Sequence, residues 1–250
     1  MRAANNARWL VFEPRHSELD VADEQEVRNA IAAARPDVII HTAYAKSGPD
    51  MWRTNVDGSS AIARAAVSAG ARLIHVSSDV IFPGRTTPYD ESAEPSPMND
   101  YGRSKAAGEK SVSMVAPGAA IIRTSVLYDT ENVGPANKVV LDAAAGRTVF
   151  PFFVDEIRSF TPVHDLASAL MDLCYHDFAG PMHIAGPEPL SRYDFACRLA
   201  RKRGLDPFRL IPALQEEKHG PRPAKLILDS SKSAGLLTTR VRSVSEVLGV

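Results

Sequence analysis

The sequence predicts an α/β fold, a doubly wound parallel sheet with a smaller C-terminal lobe. Three observations carry this. Short apolar, β-branched runs recur through roughly the first half of the 250 residues. Amphipathic stretches of helix length separate them. No internal repeat or low-complexity tract breaks the alternation. Strands that are apolar on both faces belong to parallel sheets covered by helices on both sides. Right-handed crossovers then favour double winding, and ligands bind outside the carboxyl ends of the strands.

The elements follow in order. Residues 7–12 (ARWLVF) have strand character, and Leu19-Asp20-Val21 is a short extended piece. A helix from about Asp23 to Arg35 places Val27, Ile31 and Ala34 on one face and stops at Pro36. Residues 37–44 (DVIIHTAY) form a strand, 55–69 a helix closed by Gly70, and 71–78 (ARLIHVSS) a strand. A helix over 101–115 and a strand over 119–128 complete the regular alternation. Beyond these the pattern changes. Helices are expected at 139–145, at 165–174 behind an Asp165 N-cap, and at 191–203. Strands are expected at 149–154 and 181–186, and a polar loop at 212–222. The division this suggests is a dinucleotide-type domain over 1–148 with 163–186, and a lobe over 149–162 with 187–250.

Hydrophobic residues make up 44% and charged residues 24%, which supports a sizeable core rather than disorder. Lys and Arg total 29 against 30 Asp and Glu, so nothing points to a nucleic-acid or anionic-membrane binder. Cys174 and Cys197 cannot build a disulfide framework, and neither they nor the seven scattered histidines have metal-ligand spacing. No apolar run approaches ~18 residues, and the first residues carry no long apolar signal core. The expectation is a soluble cytoplasmic protein with a small-molecule substrate and no membrane contact.

The chemistry gathers at Tyr101-Gly102-Arg103-Ser104-Lys105, where a phenol and an ammonium share one helix face. An adjacent ammonium favours the phenolate, so the pair can exchange a proton with a ketone or an alcohol. A hydroxyl such as Ser78 can hold the same oxygen. Alone, this spacing is as easily a surface pair. Here Ser78 ends a predicted strand and the helix of Tyr101 follows, which sets all three groups at one sheet edge.

In sequence order, VSSDVIFPG (76–84), PYDE (88–91), YGRSKAAGE (101–109) and IIRTSVLY (121–128) resemble the extended short-chain dehydrogenase/reductase family. The nearest likeness is to dTDP-4-dehydrorhamnose reductases and related sugar-nucleotide-binding proteins. RPDVIIHTA (35–43), TNVDG (54–58), FVDEIRSFTPVHDLA (153–167), HIAGPEPLSRYDFA (183–196) and RPAKLILD (222–229) extend the resemblance over about residues 18–245. It implies a Rossmann-like fold and hydride transfer between NADPH or NADH and C4 of a nucleotide-linked 4-ketosugar. It makes Tyr101 the proton donor, while Lys105 holds the cofactor ribose and tunes the phenol. Ser78 binds the reacting carbonyl, with Asp79 beside it in the substrate pocket. Asp20 and Val21 meet the adenine end, and Thr42, Ala43 and Tyr44 line the dinucleotide.

The chain departs from this pattern in three places. The family opens with a strand, a Gly-rich turn and a helix, in which backbone N–H groups approach the pyrophosphate. Here the first glycine is Gly48, and a strand-turn-helix of about 30 residues is not represented. The expected consequence is an apolar gap with exposed strand edges. Either the start is displaced or the chain folds without normal dinucleotide binding, and a contact between copies could cover the gap. The other departures are Val80 and Val126, where the family often has aromatic rings.

Further residues stay open at this level. Glu13, Arg15 and His16 follow the first strand with both charges present, so they do not select between NADH and NADPH. Arg222 suits a substrate phosphate or a solvated loop equally. His41 and His75 sit inside strands, and the Phe150, Phe152, Phe153 cluster reads as packing. Two other functions fit the fold. One is a non-catalytic regulatory subunit, because the β subunit of methionine adenosyltransferase also resembles this group. The other is a nucleotide-sugar epimerase or dehydratase, disfavoured because Val80 follows Asp79 where an acidic pair is wanted.

Overall fold

A computed structural model describes residues 9–131, 134–215 and 222–249. Helix α1 (Glu24–Ala34) starts where the Asp23 carboxylate accepts the N–H groups of Gln25 and Glu26, and it buries Val27 and Ile31. Strand β1 (Val38–His41) follows. A π-helical turn (Arg53–Gly58) runs directly into α2 (Ser59–Ala69), which Gly70 ends with a left-handed φ of 67°. Strand β2 (Arg72–Ser78), α3 (Asp100–Val115) and β3 (Ala120–Thr124) come next. Helix α5 (Val163–Leu173) and β8 (Gly180–His183) complete the main sheet unit.

The sheet runs β1-β2-β3-β8 with every pair parallel. Consecutive residues of one strand face opposite sides. Leu73 and Ile121 pack with Val27, Ile31, Ala61, Ala65 and Val112 under α1, α2 and α3. Ile74 and Ile122 pack with Leu166, Leu170, Leu173 and Met182 on the other face. Both faces are covered, which is why these strands lack a polar stripe.

The lobe has its own core. Strand β4 (Leu127–Tyr128) pairs with β7 (Thr161–Pro162), and β5 (Pro151–Phe153) with β10 (Ile211–Ala213). Strand β6 (Ile157–Ser159) lies between β9 (Pro189–Ser191) and β11 (Lys225–Leu226). Helices α4 (Pro135–Ala144), α6 (Arg192–Lys202) and α8 (Val244–Leu248) close over Phe160 and Phe195, whose rings stack at 4.0 Å. The short α7 (Ser231–Leu236) contacts β8.

Several expectations change. Residues 9–12 form no strand: Leu10 and Phe12 are 101% and 64% exposed, and residues 7 and 8 lie outside the described part. A strand needs a hydrogen-bonded neighbour, and among the described residues neither this segment nor the outer edge of β1 has one. The strand expected over 119–128 breaks at Ser125-Val126, because β4 leaves the main sheet for the lobe. Residues 211–213, partly within the expected loop, pair with β5, while 216–221 lie outside the described residues. Asp165 is not an N-cap. Helix α5 begins two residues earlier, and the Asp165 carboxylate takes the Arg242 backbone N–H at 2.8 Å and its guanidinium at 2.6 Å. Among the described residues no helix is long and apolar enough to cross a membrane.

Candidate active site

The carboxyl ends of β1 and β2 meet the N-terminal part of α3. Two glycines of the YGRSKAAGE segment make that approach possible. A side-chain carbon on Gly102 would collide with the Val80 carbonyl, and one on Gly108 with the Asn55 carbonyl. Asn99 fixes the helix start, its side-chain oxygen accepting the Gly102 N–H at 2.8 Å. Asn55 clamps the loop after β1 by bonding both backbone groups of Ala45, and its amide also donates to Ser104 Oγ at 2.9 Å. Asn55 was not singled out from sequence. It lies in the TNVDG segment, but a lone Asn carries no signal until its partners are known.

Tyr101 and Ser78 come together. The Ser78 hydroxyl lies close enough to the phenol to lower its proton affinity. The Tyr44 ring lies 6.2 Å from the Tyr101 ring and is 57% exposed. Burial raises the phenol's pKa, with the Tyr44 and Asp79 charges adding to the rise and the Ser78 hydroxyl opposing it. The expected lowering by Lys105 is therefore absent. The two residues share a helix face, but the lysine reaches down to the sheet, where Nζ donates to the Val76 carbonyl at 2.8 Å. Burial brings Lys105 to about 8, against an opposing Glu109 charge. A phenol so placed holds its proton at neutral pH, which is the form a proton donor starts from.

Asp79 differs from its expected place facing substrate. It is 2% exposed. Oδ1 accepts from Ser78 Oγ at 3.2 Å and Oδ2 from Ser125 Oγ at 2.6 Å, so it backs Ser78. Burial raises its pKa, while Arg158, both hydroxyls and Arg192 pull it down.

The other sequence-selected residues are dispersed around this centre. Thr42 and Tyr44 are exposed and Ala43 half-buried beyond β1. Asp20 pairs with Arg53 at 2.7 Å, and Val21 packs against Gly58. Arg222 lies close enough to Arg158 for their charges to interact. Glu156 Oε1 accepts from both Arg158 (2.8 Å) and Arg192 (2.6 Å). Sequence reading did not select Arg158 or Arg192, since only tertiary packing brings the starts of β6 and α6 together at Glu156.

A family model described as the RmlD substrate binding domain matches residues 1–249. The chain belongs to that family. Within the RmlD family and its relatives, it is 33% identical over 236 residues to methionine adenosyltransferase 2 subunit beta of Xenopus laevis, covering 88% of this chain and 70% of that protein. It is 32% identical over 244 residues to dTDP-4-dehydrorhamnose reductase of Mycolicibacterium smegmatis, covering 93% and 74%. It superimposes on the dTDP-4-dehydrorhamnose reductase of Bacillus anthracis in complex with NADP with a TM-score of 0.88 and 25% identity, over 98% of this chain and 89% of that one. The parallel sheet is thus the Rossmann-like sheet of this reductase fold. The RmlD-type frame also places His41 and His75 together under α2 and α3, their rings 5.2 Å apart and in register across β1 and β2. His41 Nε2 reaches Ser59 Oγ at 3.4 Å, but both His75 nitrogens lack a partner among the described residues.

Burial, reinforced by the Lys105 charge, holds His41 at about 3 and His75 well below the usual histidine range. Between about pH 6.5 and 3 the unfolded chain binds a proton at His41 and the folded chain does not, and His75 acts in the same direction. Stability is therefore complete above about pH 6.5 and falls with acidification, by about 1.4 kcal/mol per pH unit per histidine. His41→Gln should flatten the slope of unfolding free energy against pH in this window by about one proton. Denaturant titrations at several pH values read this directly, and an unchanged slope contradicts it.

Proposed function

We propose that this chain reduces a nucleotide-linked 4-ketosugar with NADPH or NADH. The observation that carries the reading is the Tyr101–Ser78 contact at the carboxyl end of the sheet. A protonated phenol and a hydroxyl lie together there, one helical turn from the buried Lys105. The relatives named as reductases, one of them holding NADP, support it.

The residues fit the nicotinamide end of such a cofactor. Lys105 has further N–H donors beyond the one on Val76 and can hold a ribose hydroxyl. The exposed Thr42 and Tyr44, with Ala43, offer a surface alongside it. Asp20 and Val21 suit the adenine end. The 250 residues contain no Gly-rich strand-to-helix turn for the pyrophosphate. When bound, the reduced nicotinamide supplies a hydride to C4 of the sugar. Tyr101 gives its proton to the C4 oxygen, and Ser78 holds that oxygen in place. Arg192 and Arg222 are the groups for the diphosphate of the substrate, with Arg158 behind them. Val80 and Val126, both half-buried, supply no ring for stacking on sugar or base.

The likeness to methionine adenosyltransferase 2 subunit beta favours a second reading, a non-catalytic regulatory subunit. Titration with NADPH and NADH, followed by assay with a dTDP-linked 4-ketosugar, separates the two. Cofactor binding at roughly micromolar Kd with turnover supports the reductase. A folded chain that neither binds cofactor nor consumes it supports the regulatory reading.

A further inference from the structure

The Ser78 hydroxyl has one proton and two sites that want it. To hold the reacting oxygen it must donate toward the substrate. In the structure it donates to Asp79 Oδ1 at 3.2 Å. An ionised Asp79 has only acceptors and keeps that proton, whereas a protonated carboxyl has a donor of its own. We propose that Asp79 works as a neutral acid that donates to Ser78 Oγ and thereby turns the single Ser78 proton toward the C4 oxygen of the substrate. The inference rests on the reductase reading of this site.

The geometry of both carboxyl oxygens fits. With the proton on Oδ1, the 3.2 Å contact to Ser78 reverses direction. Oδ2 is then the carbonyl oxygen, and it already accepts from Ser125 Oγ at 2.6 Å. Ser125 sits at the break between β3 and β4, so the break itself supplies this donor. The carboxyl is closed off from water, and burial favours its neutral form. The charged and titratable groups facing it are Arg158 from β6, Arg192 from the start of α6, and Tyr101 from α3. The two guanidiniums share Glu156, which moderates their pull on the Asp79 proton. Asp79 is thus a positioning residue that acts through Ser78.

Asn is the neutral mimic of the protonated acid: its amide donates to Ser78 and its oxygen accepts from Ser125. It cannot ionise. In assays with a dTDP-linked 4-ketosugar and NADPH, Asp79→Ala should lose about 10²-fold in kcat. Asp79→Asn should recover at least about 10-fold of that loss. The wild-type kcat should also decline with rising pH through a limb that Asp79→Asn lacks, measured from about pH 5 to about pH 9. An Asn variant as impaired as Ala, or one with an unchanged pH profile, overturns the proposal. Infrared difference spectra of wild type against Asp79→Asn at neutral pH give a readout that needs no turnover. A protonated-carboxyl carbonyl band present only in the wild type supports the neutral acid, and its absence overturns the proposal. That band in a wild type without turnover supports the acid and overturns the reductase reading instead.

Discussion

Tyr101→Phe is expected to lower kcat by about 10²- to 10⁴-fold while leaving NADPH affinity nearly unchanged. The substitution removes one oxygen from a half-buried ring and keeps the shape that packs near Tyr44. What disappears is the hydroxyl proton beside Ser78. Lys105 is turned to Val76, and Asp79 lies behind the serine. Lys105→Ala should behave differently and reduce both turnover and cofactor affinity, because it removes the ammonium proposed to hold the ribose. Steady-state kinetics together with a fluorescence titration of NADPH distinguish the two variants. Turnover by Tyr101→Phe at the wild-type rate would sink the assignment of the proton donor.

The second large effect concerns the scaffold that holds this helix in place. Arg123 on β3 and Glu109 on α3 are each 5% exposed and meet through three N–H contacts, the shortest 2.9 Å. Glu109 lies one turn beyond Lys105, so the pair fastens the face of α3 that carries Tyr101 and Lys105 to the sheet. Arg123→Met leaves a buried carboxylate without its partner and should destabilise the fold by about 3–5 kcal/mol. Arg123→Met with Glu109→Leu removes both charges and should recover most of that loss, since the penalty comes from the unpaired ion. Urea unfolding of the three proteins measures it. A single variant no less stable than the double one contradicts the argument.

The apolar periodicity of α1, α2 and α3 and the β-branched runs of β1 to β3 were legible because local pattern and burial agree there. The segment Trp9–Phe12 reads the same way locally and is not a strand. Strand formation depends on a neighbour that composition cannot supply. At the site, the i, i+4 spacing of Tyr101 and Lys105 fixed which residues share a helix face. It did not fix what each side chain touches. The spacing alone suggested a phenol tuned by an ammonium, whereas burial and the Val76 carbonyl separate the two effects.

By itself the sequence determined the class of fold and singled out the side chains proposed to react. Both depend on short-range order: which residues are apolar, how far apart they lie, and which side chains carry exchangeable protons. Tertiary structure alone decided how Asp79 is shared between Ser78 and Ser125, and how Arg158, Arg192 and Arg222 converge. It also decided that a break after β3 delivers a hydroxyl to the carboxyl beneath the site. The Ser125–Asp79 contact joins residues 46 apart in the chain. The energetics of such contacts come from burial, and burial exists only once the chain has closed around them.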